Sequence, residues 1–418
     1  MQQKQSFAIV GGQVLRGNGF NRADVLVENG LIKGIGNYRS TQNKIDAASC
    51  FVLPGFINTH AHLGETIFRD AVKFSNLNDY IEKTEKINAL LSGKSKLLRE
   101  ISGSNTMLEF IHSGITTICA GRCAQECESA GLRSFSGYML MQSKKLQKYF
   151  TNFESEFKNF ITEINNTLLS KPFLFLHSLT YSTSGMINLA RRLIQERGIP
   201  LMVHVAETLE EETRVKEETG VSSVKFLENN GLITNSTLLV HCCNISDKDM
   251  GIIKRRGATI VLCPTSNVRL NNQIPPFDKM LKQGINLCIA TDGLATALSK
   301  NILCECLFLK KEFKRVESFN WMNLITTNPA RSLGIRSGSM YEGSSADIVI
   351  FGPDKAANAK KIKRDDIIDF VSMLEVRDVI CAGKEVMRNG EVTTIDEKKI
   401  HASFNALNRS IKDLETQA

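Results

Sequence analysis

Eight short apolar runs, each followed by a stretch with helical spacing, limit what this 418-residue chain can become. They are Phe56–His62, Ile115–Ala120, Phe135–Met141, Phe173–Leu179, Leu201–Glu207, Leu238–Cys243, Thr259–Pro264 and Leu287–Asp292. Runs this apolar suit parallel strands covered by helices on their outer face. The segments between them, such as Thr208–Asn229 and Asp247–Arg256, carry charge and helical periodicity. Gly257 and Gly284 are helix stops ahead of the next strand. Eight strand–helix repeats in a span of about 250 residues predict a closed parallel barrel. The competing open sheet needs a glycine-rich phosphate fingerprint after an early strand, and none is present.

The two ends have a different texture. Short strands flank a hairpin turn at Asn29-Gly30, and strand-like runs return at Ala346–Phe351 and Val376–Val392, the latter closed at Asn389-Gly390. The expected fold is therefore α/β: a (β/α)8 TIM-type barrel with a small β-sandwich domain built from both termini. The expected division is 1–53 and 337–395 for the small domain, 54–336 for the barrel and 396–418 for a C-terminal helix. That amphipathic helix is expected to cover the small domain or a partner chain.

In such a barrel the reactive residues gather at the C-terminal strand ends. Five of the chain's seven histidines occupy those ends: His60, His62, His177, His204 and His241. His112 and His401 are the exceptions. Strand side chains alternate, so His60 and His62 share a face and can share an ion. His60, His62 and His204 offer nitrogen and Asp292 offers a carboxylate oxygen. That set suits one divalent ion, zinc or iron, with zinc expected first and a position left for water. An ion so held makes a water reactive at neutral pH. Glu207, three residues past His204, is placed to move that water's proton. His241 is placed to stabilise developing charge. Asp292 can also pass a proton to the leaving group.

Several features point away from other roles. The net charge of +8 is spread out, and the densest basic stretch, Lys360–Arg364, is short and free of aromatics. No nucleic-acid partner is expected. The sequence shows no signal peptide and no membrane-length apolar run, so a cytoplasmic protein is expected. Eleven irregularly spaced cysteines suggest reduced, buried thiols. Cys119, Cys123 and Cys127 are expected to be packing residues. Cys242 and Cys243 flank His241 but are not expected to act as nucleophiles.

The ordered stretches resemble the amidohydrolase superfamily. They are Leu53–His62, His177-Ser178, His204–Glu207, His241-Cys242, Pro264–Asn267, Thr291–Gly293, Thr327–Arg331, Leu333-Gly334, Gly338–Gly343 and Ala346–Val349. Within it the chain resembles the S-adenosylhomocysteine/methylthioadenosine deaminase, guanine deaminase and triazine chlorohydrolase branch. The resemblance implies a single-metal site with His60, His62, His204 and Asp292 as ligands. It implies Glu207, His241 and Asp292 as catalytic residues and His177 as a substrate contact. Strand four ends in His177 and not in the lysine that bridges two metals in binuclear relatives. Arg69 matches an arginine common in the branch, and Glu82 and Glu85 are both candidates for the glutamate that binds ribose hydroxyls, with Glu85 the one expected. Ser266 and Asn267 are further candidates for substrate contact. Glu65 stands where relatives often carry methionine.

The activity so implied is hydrolytic deamination of an amino-substituted nitrogen heterocycle: a purine nucleoside derivative, a purine or a pterin. The alternative is release of chloride or an alkylamine from a triazine-like ring, or opening of a cyclic amide. A small-molecule substrate, no membrane partner and a homodimer are the remaining expectations.

Overall fold

The computed structural model describes residues 6–91, 95–141, 153–352 and 362–417. Eight parallel strands form one sheet: β1 (Phe56–Ala61), β2 (Ile115–Gly121), β3 (Arg133–Leu140), β4 (Ser170–Ser178), β5 (Leu201–Val205), β6 (Thr237–His241), β7 (Thr259–Leu262) and β8 (Asn286–Ile289). Each pairs in parallel with its sequence neighbour, the arrangement that strand–helix–strand connections produce. The ring closes between β1 and β8 at one backbone bridge, Ala61 to Asp292. There the Asp292 N–H donates to the His60 carbonyl at 3.2 Å. Below it the Asn58 amide and Thr291 exchange two bonds of 2.8 and 3.1 Å.

The strands are buried on both faces. Inside the ring Ile57, Phe135, Phe175, Met202, Val240 and Val261 pack together, while a larger apolar layer lies between strands and helices. Helix stops fall where expected: Gly257 and Gly284 sit at positive φ. All eleven cysteines are free thiols, and Cys119, Cys123 and Cys127 are fully buried packing residues.

The satellite is hydrogen-bonded as a single nine-stranded sheet drawn from both ends of the chain. The ends meet where Ile348–Phe351 pairs antiparallel with Phe51–Pro54. Its apolar cluster is separate from the barrel's and includes Ile9, Val25, Ile45, Val52, Ile348 and Ile380. Asn29-Gly30 and Asn389-Gly390 both adopt the left-handed turn geometry their residues favour. The segment Val376–Val392 differs from the single hairpin expected. It holds three strands, with an additional turn at Ala382-Gly383. Alanine seldom takes the positive φ that this turn needs, so the sequence does not advertise it.

The C-terminal helix is also placed differently from expectation. Glu397–Gln417 lies on the barrel side, against the turn after His62 and the helices α1 (Leu77–Leu90) and α2 (Ser95–His112). Ile411 is fully buried there, and the Asn408 amide donates to the carbonyls of Ile67 and Arg69 at 2.7 and 3.1 Å. Among the described residues no helix is long and apolar enough to cross a membrane. Of the basic stretch 360–364, Lys360 and Lys361 lie outside the described residues.

Candidate active site

The donors converge from three strand ends. His60 sits on β1, and His62 caps the 3-10 turn Leu63–Phe68 that follows it. Their Nε2 atoms approach to 3.1 Å. His204, on β5, brings its own Nε2 to 3.1 Å from that of His60. Asp292, just past β8, places Oδ1 at 3.2 Å from His60 Nε2 and 3.3 Å from His62 Nε2.

This packing tests whether a metal fits. His60 Nε2 faces three polar atoms and can share a proton with only one of them. Burial pushes His60 down to about 4 and His204 well below the usual histidine range, so their lone pairs are free of protons. Bare nitrogens at such distances repel one another unless a cation lies between them. The spacings approach the edges of a tetrahedron with bonds of about 2.0–2.1 Å, the zinc–nitrogen and zinc–oxygen range. His60, His62 and Asp292 form one group of donors able to hold a metal, and His60, His204 and His241 form another.

Each donor is held from behind. The His60 Nδ1–H points at Met202 Sδ, 3.1 Å away. Ser266 Oγ donates to Asp292 Oδ2 at 2.6 Å, turning Oδ1 toward the imidazoles. Burial opposes ionisation of Asp292, but the His60 bond and the His62 charge hold its carboxyl far below the ordinary range.

Glu207 and His241 face each other beside these donors, with Oε2 and Nε2 3.6 Å apart. His241 Nδ1–H donates to Asn267 Oδ1 at 2.9 Å, which leaves Nε2 toward the site. The Asn272 amide donates to Glu207 Oε1 at 3.0 Å. Burial, reinforced by the Asp292 carboxylate, pushes Glu207 up to about 8, a range suited to accepting and returning a proton near neutrality. Local sequence fixes this position. Thr208 caps α3 (Leu209–Thr219) by accepting from the Glu211 N–H, and Glu211 accepts from the Glu207 N–H at 3.1 Å. The Asn244 amide ties the end of β5 to that of β6 through the carbonyls of Ala206 and Glu207. Ala206, His241 and Asp292 all sit at positive φ, of 48°, 70° and 59°. Such non-glycine geometry costs about 1–3 kcal/mol each and persists only where surroundings impose it.

A cavity of about 200 Å³ opens over this floor. His177 lines it, while its Nδ1 is closed off from the cavity and lacks a hydrogen-bond partner.

Four expected substrate contacts stand elsewhere. Ser266 and Asn267 belong to the short helix α4 (Pro264–Arg269), are fully buried and are absent from the cavity wall. The Ser266 hydroxyl is bonded to Asp292, and Asn267 Oδ1 to His241. Arg69 turns its guanidinium to the carbonyls of Leu294, Ala297 and Leu298 and so clamps the loop after Asp292. Glu85 is exposed on α1, whose cavity-lining residues are Leu77, Asn78, Tyr80 and Ile81. The supporting roles of Met202, Asn244 and Asn272 have no sequence signal, because each acts across distant turns of the chain.

A parallel (β/α)8 barrel with three imidazoles, a carboxylate and a facing glutamate–histidine pair at its C-terminal mouth has the frame of a metal-dependent hydrolase. The comparisons narrow this. Residues 51–386 match the model of the amidohydrolase family, and the chain belongs to that family. It is 30% identical to the 5'-deoxyadenosine deaminase of Methanocaldococcus jannaschii, over 91% of this chain and 94% of that one. It is 26% identical to a 5-methylthioadenosine/S-adenosylhomocysteine deaminase of Pyrococcus furiosus, over 95% and 98%. Its fold is shared with a zinc-bound adenosine deaminase from Xanthomonas campestris, at a TM-score of 0.88 and 19% identity over 97% and 98% of the two chains.

Proposed function

We propose that this chain is a deaminase that hydrolyses the exocyclic amine of an adenosine-type purine derivative. The observation that carries this is the placement of Glu207 and His241, 3.6 Å apart, beside the four donors on the cavity floor. The names of its full-length relatives support an adenosine-type substrate. His60, His62, His204 and Asp292 would hold the metal, which we take to be zinc because three neutral nitrogens and one carboxylate suit it. Bound there, the ion supplies a Lewis acid that makes water nucleophilic at neutral pH.

The chain's own residues do the rest. Glu207 takes the proton of the attacking water and gives it to the ring nitrogen next to the carbon under attack. His241, whose Nδ1–H is held by Asn267, presents its bare Nε2 to the site, where it accepts a hydrogen bond from the attacking water and orients it. Asp292, oriented by Ser266, moves a second proton to the departing amine, which leaves as ammonia. His177, on the cavity wall, contacts the ring. Among the described residues the cavity wall includes none of the satellite sheet, in keeping with a division into 1–53 plus 337–395, a barrel at 54–336 and a helix at 396–418.

The test is ammonia release by zinc-loaded protein from 5'-deoxyadenosine, 5-methylthioadenosine, S-adenosylhomocysteine, guanine and a pterin. Turnover of an adenosine derivative in preference to guanine and the pterin is expected. No release from any of them would refute the assignment.

A further inference from the structure

The turn after His62 carries Glu65, which the proposed reaction leaves without a role. Its carboxylate bridges two groups. Oε2 accepts from the Tyr80 hydroxyl at 2.8 Å, and Oε1 lies 3.5 Å from His62 Nδ1. Tyr80 comes from α1, is buried, and packs its ring edge-on against Phe74 at 4.9 Å. The space that Glu65 fills is kept open from the other side of the barrel. A Cβ on Gly293, the residue after Asp292, would lie 2.8 Å from Glu65 Oε2.

His62 turns Nε2 toward the donor cage, so its Nδ1–H points away from it. A ligand imidazole gains orientation and basicity when a carboxylate accepts from its outer nitrogen. We infer that Tyr80 and Glu65 form a positioning chain for His62: the tyrosine holds one carboxylate oxygen so that the other stays beside the imidazole, at ion-pair distance and able to close to a hydrogen bond. The inference rests on the reading of His62 as a metal ligand. Glu65 and Tyr80 also line the cavity, and the proposed effect is the one they exert on the metal through His62.

Zinc affinity, measured by competition with a chelator, tests this without any substrate. Glu65→Gln keeps the shape but accepts less strongly, and it should weaken zinc binding by roughly 10- to 100-fold. Tyr80→Phe should shift affinity the same way by less. The double variant should bind zinc no worse than Glu65→Gln alone, since Tyr80 works through Glu65. The visible spectrum of the cobalt-loaded protein should change in Glu65→Gln, which a purely structural role would not produce. Tyr80→Phe preserves the ring packed on Phe74, so it remains a test should Glu65→Gln fail to fold. Wild-type zinc affinity and cobalt spectrum in both single variants would overturn the inference, as would additive losses in the double. A wild-type protein that binds no zinc would overturn the metal reading itself.

Discussion

At the scale of single residues, the site separates groups that face the cavity from groups that hold them. Glu207 faces it. Glu207→Gln should lower kcat by about 10²- to 10⁴-fold, the usual range for a lost acid–base group, with zinc content unchanged by elemental analysis. Ser266 holds Asp292 from behind. Ser266→Ala should weaken zinc binding by roughly 10- to 100-fold in a chelator titration while KM stays put. A raised KM with intact zinc affinity would return Ser266 to the substrate. Deeper still, Glu305 on α5 (Ile302–Glu312) accepts from both the N–H and the hydroxyl of Thr265, next to Ser266. Burial pushes its carboxyl up to about 8. The unfolded chain loses this proton near the ordinary value of 4.5, so the native state holds more protons between there and about 8. Its contribution to stability therefore falls as pH rises through that window. Glu305→Gln should flatten the slope in urea melts taken from pH 5 to 8.

The candidate donors and the facing Glu–His pair could be picked out of the sequence because each sits at or just past the end of an apolar run, although strand alternation assigns a shared face only to His60 and His62. His60, His62, His204, His241, Glu207 and Asp292 are the residues concerned. The roles of Ser266, Asn267, Arg69 and Glu85 were not legible in this way. Whether a hydroxyl meets a substrate or a carboxylate depends on what faces it, and the sequence does not say that Ser266 meets Asp292. For Arg69 the deciding partners are carbonyls more than two hundred positions away.

At the scale of elements, the C-terminal helix shows the same limit. Its amphipathic spacing marks a buried face without naming what it covers. The structure sets that face on Ile67 and Phe68, in the turn that carries Glu65, and on Tyr80 and Ile87 of α1. The helix thus supports the wall of the cavity from outside. Ile411→Ala should cost about 2–5 kcal/mol in urea unfolding, as removal of a fully buried isoleucine side chain does. The satellite sheet gives the complementary case. Its Asn-Gly turns were plain from residue type, whereas Ala382-Gly383 was hidden because alanine carries no signal for a left-handed turn.

For the molecule as a whole, local order accounts for how much could be read. Every barrel strand pairs with its neighbour in sequence, so eight runs in order are enough to imply the ring. The one exception is the closure between β1 and β8, where the described residues show a single backbone bridge, the Asn58–Thr291 pair and a long bond from the Thr59 hydroxyl to the Ile289 carbonyl at 3.5 Å. His60 and His62 stand on one side of that seam and Asp292 on the other. An ion gripped by all three would act as a rivet through the staves, and ligand binding to the native state alone adds to stability. Stripping the metal should lower Tm, and amide exchange should quicken first along β1 and β8. A chelator would then do more than silence the chemistry: it would unfasten the cask at the one joint that the strands themselves leave weakest.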